Sequence, residues 1–159
     1  MMREDGATAP AAAGRKVFYE DLQVGRRFTS GSRPLDADAV KAFARDFDPQ
    51  PFHTDEDTAR GTFFDGLAAS GWHTAALTMR LLVESVPVAA GLIGAGVELV
   101  WPRPARPGDV LTVESEVIER RELKSKPGYG IVRLRSITRN QRGEVLQDMT
   151  SSVLAPRRG

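Results

Sequence analysis

The chain contains no cysteine. Disulfides, thiolate metal sites and a cysteine nucleophile are therefore excluded, and the composition fits a reducing cytoplasm, where we expect the protein to act. No run is long and apolar enough to span a bilayer, so no membrane partner is expected. Charge of one sign is also missing. Lys and Arg number 22 against 21 Asp and Glu, a formal net charge of +1. No overall field would recruit nucleic acid. Two histidines without cysteine are a poor basis for a transition-metal site, so no metal is expected. A glycine-rich phosphate loop and a dinucleotide fingerprint are both absent, and no cofactor is implied.

What is present is an ordinary globular balance, 41% hydrophobic and 27% charged, over 159 residues. That length suits one buried core rather than two. Residues 1–14 are rich in Ala, Gly and Pro and lack the charged-then-apolar plan of a signal peptide. We expect a disordered tail there and a single domain over 15–159.

Within that domain, Val17–Tyr19 and Arg27–Thr29 read as short extended runs. Asp36 is a good N-cap for a helix carrying Val40, Phe43, Ala44 and Phe47 at helical spacing. Pro49 and Pro51 should stop it. Asp55, Glu56 and Asp57 suit the positive end of another short helix. From Ala68 to Val83 only His73 and Arg80 are strongly polar, which predicts a long helix buried on most sides, with Ser70 able to cap it. After Gly96 the texture becomes extended. Val97–Trp101, Val110–Arg120, Gly130–Arg139 and Glu144–Leu154 read as strands, with a hairpin turn at Asn140–Gly143. Helices followed by runs of strand argue for an α+β domain with an antiparallel sheet. A curved sheet wrapped around the long apolar helix would cover both, which is the hotdog arrangement.

The segment from Phe43 to His53 concentrates the chemistry. Asp46, Asp48 and His53 lie within eight positions, at a helix end and on a loop stiffened by Pro49 and Pro51. Adding or removing water needs one group to take a proton and another to orient or supply one, both within hydrogen-bond reach of one water. Histidine, with a reference pKa of about 6.5, suits that work. An Asp before Pro also commonly starts a turn, so these residues alone leave structural and catalytic readings open. Gly71, at the start of the long helix, could let a substrate oxygen approach free backbone amides, or could simply allow tight packing. His73 reads as a buried, hydrogen-bonded core residue. Phe63, Phe64 and Trp72 could line a pocket or the core. Arg103, Arg106, Lys124, Lys126 and Arg133 are candidates for contact with phosphate groups.

The stretch Asp46-Phe47-Asp48-Pro49-Gln50-Pro51-Phe52-His53 resembles, in lengthened form, the Asp-x-Asn-Pro-x-His motif of MaoC-like hydratases. Ala69-Ser70-Gly71-Trp72-His73 resembles that family's turn before its central helix, usually His-Gly-Met. Trp101–Asp109 resembles the segment after the first long strand. The likeness runs from about Phe18 to the C-terminal end. It implies a hotdog fold, a homodimer or higher homo-oligomer, and action on an acyl-coenzyme A thioester. It further implies hydration or dehydration of the (R)-specific enoyl-CoA hydratase type. A thioesterase on the same fold, or a non-catalytic acyl-CoA binder, is the alternative. The family's Asp-to-His interval selects Asp48 and His53 as the catalytic pair. Matching Asp-x-x-Pro instead selects Asp46. Substrate contacts are implied for Ser70, Gly71 and Trp72, with the Gly71 amide on the thioester oxygen.

Overall fold

The computed structural model describes residues 15–159, and the tail expected over 1–14 lies outside them. Among the described residues a 3-10 turn, Tyr19–Asp21, precedes strands β1 (Arg27–Thr29) and β2 (Arg33–Pro34). Helices α1 (Ala37–Phe47), α2 (Pro51–Thr54), α3 (Glu56–Ala59) and α4 (Gly71–Ser85) follow. Strands β3 (Ile93–Val100), β4 (Val110–Glu122), β5 (Tyr129–Arg139) and β6 (Val145–Pro156) complete the chain. The strands form one antiparallel sheet in the order β1-β4-β5-β6-β3, with β2 also on β4.

The long strands alternate as a half-buried sheet should. Leu111, Val113 and Val117 of β4 point into the core, as do Val132 and Leu134 of β5. They pack with Leu81 and Leu82 of α4 in one cluster. Polar side chains on the inner face are paired: Thr78 of α4 hydrogen-bonds Thr138 at 2.6 Å, and Ser115 meets Ser136 at 3.0 Å. Buried hydroxyls with partners cost the core little. An antiparallel sheet curled on a long helix makes this an α+β protein with the hotdog fold. The Asn140–Gly143 turn joins β5 to β6, with Gly143 at φ +78°.

Two expectations need correction. The long helix begins at Gly71 rather than Ala68, because Ser70 caps it with its side chain, accepting from the Trp72 amide. Nor is that helix buried on most sides. Thr74, Thr78, Leu81 and Ser85 face the sheet, while Trp72, Ala76, Met79 and Val83 form an exposed stripe at helical spacing. Apolar residues therefore lie on two faces of α4, one packed on the sheet and one exposed.

Candidate active site

Asp36 caps α1, its carboxylate accepting from the Ala39 amide at 2.8 Å. The helix runs to Phe47 and ends on Asp48, since Pro49 cannot continue it. Pro51, expected only as a stop, also opens α2 at its first position, where a missing N–H and a fixed φ are useful. The single turn of α2 carries His53 back beneath the end of α1. There His53 is buried, and its Nδ1 lies 2.6 Å from the carbonyl oxygen of Ala68. A carbonyl only accepts, so Nδ1 carries the proton and donates. The neutral ring then keeps its lone pair on Nε2.

That Nε2 sits 3.3 Å from Oδ2 of Asp48. The same oxygen accepts from the Ser70 hydroxyl at 2.7 Å, and Oδ1 accepts from the Gln50 side-chain amide at 2.6 Å. Burial pushes the Asp48 carboxyl up, but the hydrogen bonds from Ser70 and Gln50, with the charge of His53 when it is protonated, outweigh it and hold it below the usual aspartate range. The segment before α4 is tied on both sides: Ala68 N donates to Phe52 O, and Ala69 N to Ala105 O. Ser70 and Ala68 are thus fixed relative to the pair they contact.

A lone pair on Nε2 facing a carboxylate oxygen is unfavourable unless a hydrogen lies between them. A charged imidazole supplies one. A single water beside the pair, donating one hydrogen to each group, would also relieve the repulsion. The cluster is therefore suited to holding and polarising one water molecule.

His53 opens onto a cavity of about 410 Å³ lined by Phe63, Phe64, Gly71, Thr74, Trp101 and Ala105. Gly71 is the first residue of α4, and the amides of a helix's first turn have no partner inside the helix. A side chain there is sterically excluded: a Cβ would lie 2.7 Å from the Trp101 ring.

The other sequence candidates are dispersed. Asp46 is exposed on α1 and, among the described residues, joins neither Ser70 nor His53 in a hydrogen bond or ion pair. Trp72 is 60% exposed, meets Trp101 edge to face, and lines a second cavity rather than the His53 cavity. His73 stacks on Phe43 with ring centroids 4.6 Å apart. Its Nδ1 is buried without a hydrogen-bond partner, contrary to the expected bonded core histidine. Burial pushes its pKa down, opposed by the charge of Asp36. Arg103 stands at the cavity wall, paired with Glu144. Arg106 is bound to the carbonyls of Phe64 and Leu67, and Arg133 to Glu119. Lys124 and Lys126 lie at the β4–β5 turn, the far end of a strand that spans roughly 40 Å at about 3.3 Å per residue. Among the described residues no three His, Asp or Glu side chains gather as a metal ion would require.

Sequence reasoning missed Gln50, whose amide holds the second carboxylate oxygen. Its position two residues after Asp48, between two prolines, was the available signal. It also missed the bond from Trp101 Nε1 to Gln147, 46 residues apart, for which no local pattern exists.

Residues 21–140 match the family described as MaoC like domain. The chain belongs to this MaoC-like family. It is 57% identical to the MaoC-like dehydratase from Rhodospirillum rubrum, covering 90% of this chain and 99% of that one at a TM-score of 0.88. It is 30% identical, over 87% of its length and 98% of the relative's, to the uncharacterised protein YdeM of Bacillus subtilis (strain 168). An (R)-hydratase from A. caviae involved in PHA biosynthesis is 30% identical, with a TM-score of 0.70 over 86% of this chain and 99% of that one. Hydratases and dehydratases thus stand among the MaoC-like proteins this chain resembles.

Proposed function

We propose that the protein adds water to, or removes it from, an acyl-coenzyme A thioester in the manner of an (R)-specific enoyl-CoA hydratase. The observation that carries this reading is the convergence of Asp48, His53 and Ser70 beside a cavity that reaches the N-terminus of α4. The named activity of its (R)-hydratase relative supports the same class.

The enoyl group lies in the cavity with its thioester oxygen toward the Gly71 amide. A helix N-terminus stabilises the negative charge that develops there. A water on the cavity side of the pair bridges Asp48 and Nε2 of His53. Asp48, whose carboxyl is held ionised by the Ser70 and Gln50 hydrogen bonds, orients the water and stabilises the imidazolium. As the water oxygen bonds to C3, one O–H bond breaks and Nε2 takes the proton. The C2=C3 electron pair moves toward the thioester oxygen. His53 then returns a proton to C2, and the net change is one water added across the double bond.

The working unit is a homodimer. Among the described residues β3 is a sheet edge, paired only with β6, and its other side has no strand partner. Exposed edges of this kind invite pairing. Beside it lies the exposed α4 stripe, and a second copy related by a two-fold axis would cover edge and stripe together.

Pure protein should remove the enoyl absorbance of crotonyl-CoA without releasing thiol. Thiol release would instead mean a thioesterase. His53→Ala and Asp48→Asn should each cost ~10²–10⁴-fold in turnover, the usual worth of an acid–base group. Asp46→Asn should behave as wild type. A wild type inert toward crotonyl-CoA and longer enoyl thioesters, or catalysis indifferent to His53 and Asp48, would overturn the mechanism.

A further inference from the structure

Two cavities, not one, are lined in part by α4. The first holds His53. The second, also about 410 Å³, is lined almost wholly by apolar groups, among them Met79, Leu82, Leu99, Met149 and Val153. Trp101 lines the first and Trp72 the second, and their rings meet edge to face at 5.3 Å and 81°. The pair of indoles, each partly exposed, therefore stands where the His53 cavity and an apolar groove of similar size approach each other.

Trp101 is fixed there from two directions. Its ring occupies the space a side chain at Gly71 would enter, since a Cβ there would lie 2.7 Å from it. Its Nε1–H donates to Oε1 of Gln147 at 2.9 Å. Gln147 is fully buried on β6, and its own side-chain NH2 has no partner. A buried amide with its donor half unsatisfied is unfavourable, and a leucine would fill the space without that penalty. What the glutamine adds here is an acceptor for the indole.

Resting on the hydratase reading above, we propose that Trp101 is the specificity-determining residue for acyl length, and that Gln147 is its positioning residue. The partition confines the acyl group to the His53 cavity, so the enzyme takes short enoyl thioesters. Displacing the indole joins the cavities and admits longer chains, because an apolar tail would then lie along Met79, Leu99 and Met149.

The test compares crotonyl-CoA with trans-2-octenoyl-CoA in wild type, Trp101→Ala, Trp101→Leu and Gln147→Leu. Each variant's octenoyl-to-crotonyl ratio of kcat/KM is internal to that protein, so a general loss of stability does not move it. Wild type should favour crotonyl-CoA. Trp101→Ala should raise the ratio by about ten-fold or more, since a few methylenes in an apolar pocket are discriminated by at least that much. Gln147→Leu should raise it in the same direction by less. If Trp101→Ala does not fold, Trp101→Leu and Gln147→Leu carry the comparison. A wild type that already prefers octenoyl-CoA, or a ratio unchanged in every folded variant, overturns the partition. Calorimetric binding of butyryl-CoA and octanoyl-CoA separates this failure from that of the hydratase reading. A wild type that hydrates neither substrate but binds butyryl-CoA more tightly, with the preference reversed by Trp101→Ala, sinks the chemistry and sustains the partition. Equal binding of the two by wild type sinks the partition.

Discussion

At the scale of single residues, the site depends on which atoms of Asp48 are already engaged. Gln50 occupies one carboxylate oxygen and Ser70 the other, and His53 shares the second. Ser70, expected from the sequence on the substrate, donates instead to the carboxylate. Because the folded-state pKa of Asp48 lies below its unfolded value of about 3.9, its ionised form stabilises the fold above that range. That contribution is lost as the pH falls through the lower folded value. Ser70→Ala removes one of the hydrogen bonds that lowers it. The Asp48 carboxyl, followed by NMR, should then titrate at higher pH than in wild type, and the acid limb of the stability curve should move the same way. A titration midpoint unmoved by Ser70→Ala would mean that Ser70 does not set the charge state of the pair.

The elements α1 and α2 place the site through their ends rather than their lengths. The Asp36 cap anchors the start of α1, and Asp36→Ala should cost ~1 kcal/mol in a urea unfolding series. This part of the chain was legible in sequence because caps and prolines act locally: Asp36, Pro49 and Asp55 each stand where their chemistry implied. The extent of β1 was read correctly, and β4, β5 and β6 were read within a few residues, since their alternation and turns are also local signals. Pro51 was legible only in half, because a proline that ends one helix and begins the next gives the same sequence signal. The start of α4 was read three residues early, since Ala68 and Ala69 are as apolar as the helix itself and only the Ser70 cap separates them. Burial could not be read at all from α4, because an apolar residue has the same identity whether it faces a sheet or a second molecule. The partners of the site, Ala68 for His53 and Ser70 for Asp48, lie 15 and 22 residues away, and neither contact could be read from the sequence.

For the whole molecule, the exposed α4 stripe and the open edge of β3 lie on adjacent elements of one face. Val83 is 57% exposed and Val97 58%, values unusual for valines flanked by a well-packed core. Val83→Lys should therefore favour monomer in sedimentation at micromolar concentration while wild type sediments as a dimer. If Val83→Lys sediments as wild type does, this face is not the contact. Activity should fall with dissociation, since Trp72, Met79 and Val97 of that face line the apolar cavity. The indole pair has a further, optical consequence. Trp72 and Trp101 are the only tryptophans in the sequence, and they touch each other at the wall of the His53 cavity. Intrinsic tryptophan emission from this protein therefore originates at one place, and on the proposed reading that place borders the bound acyl group. Occupancy can be followed with no label attached, and Trp101→Phe would leave Trp72 as a single emitter on the far side of the wall.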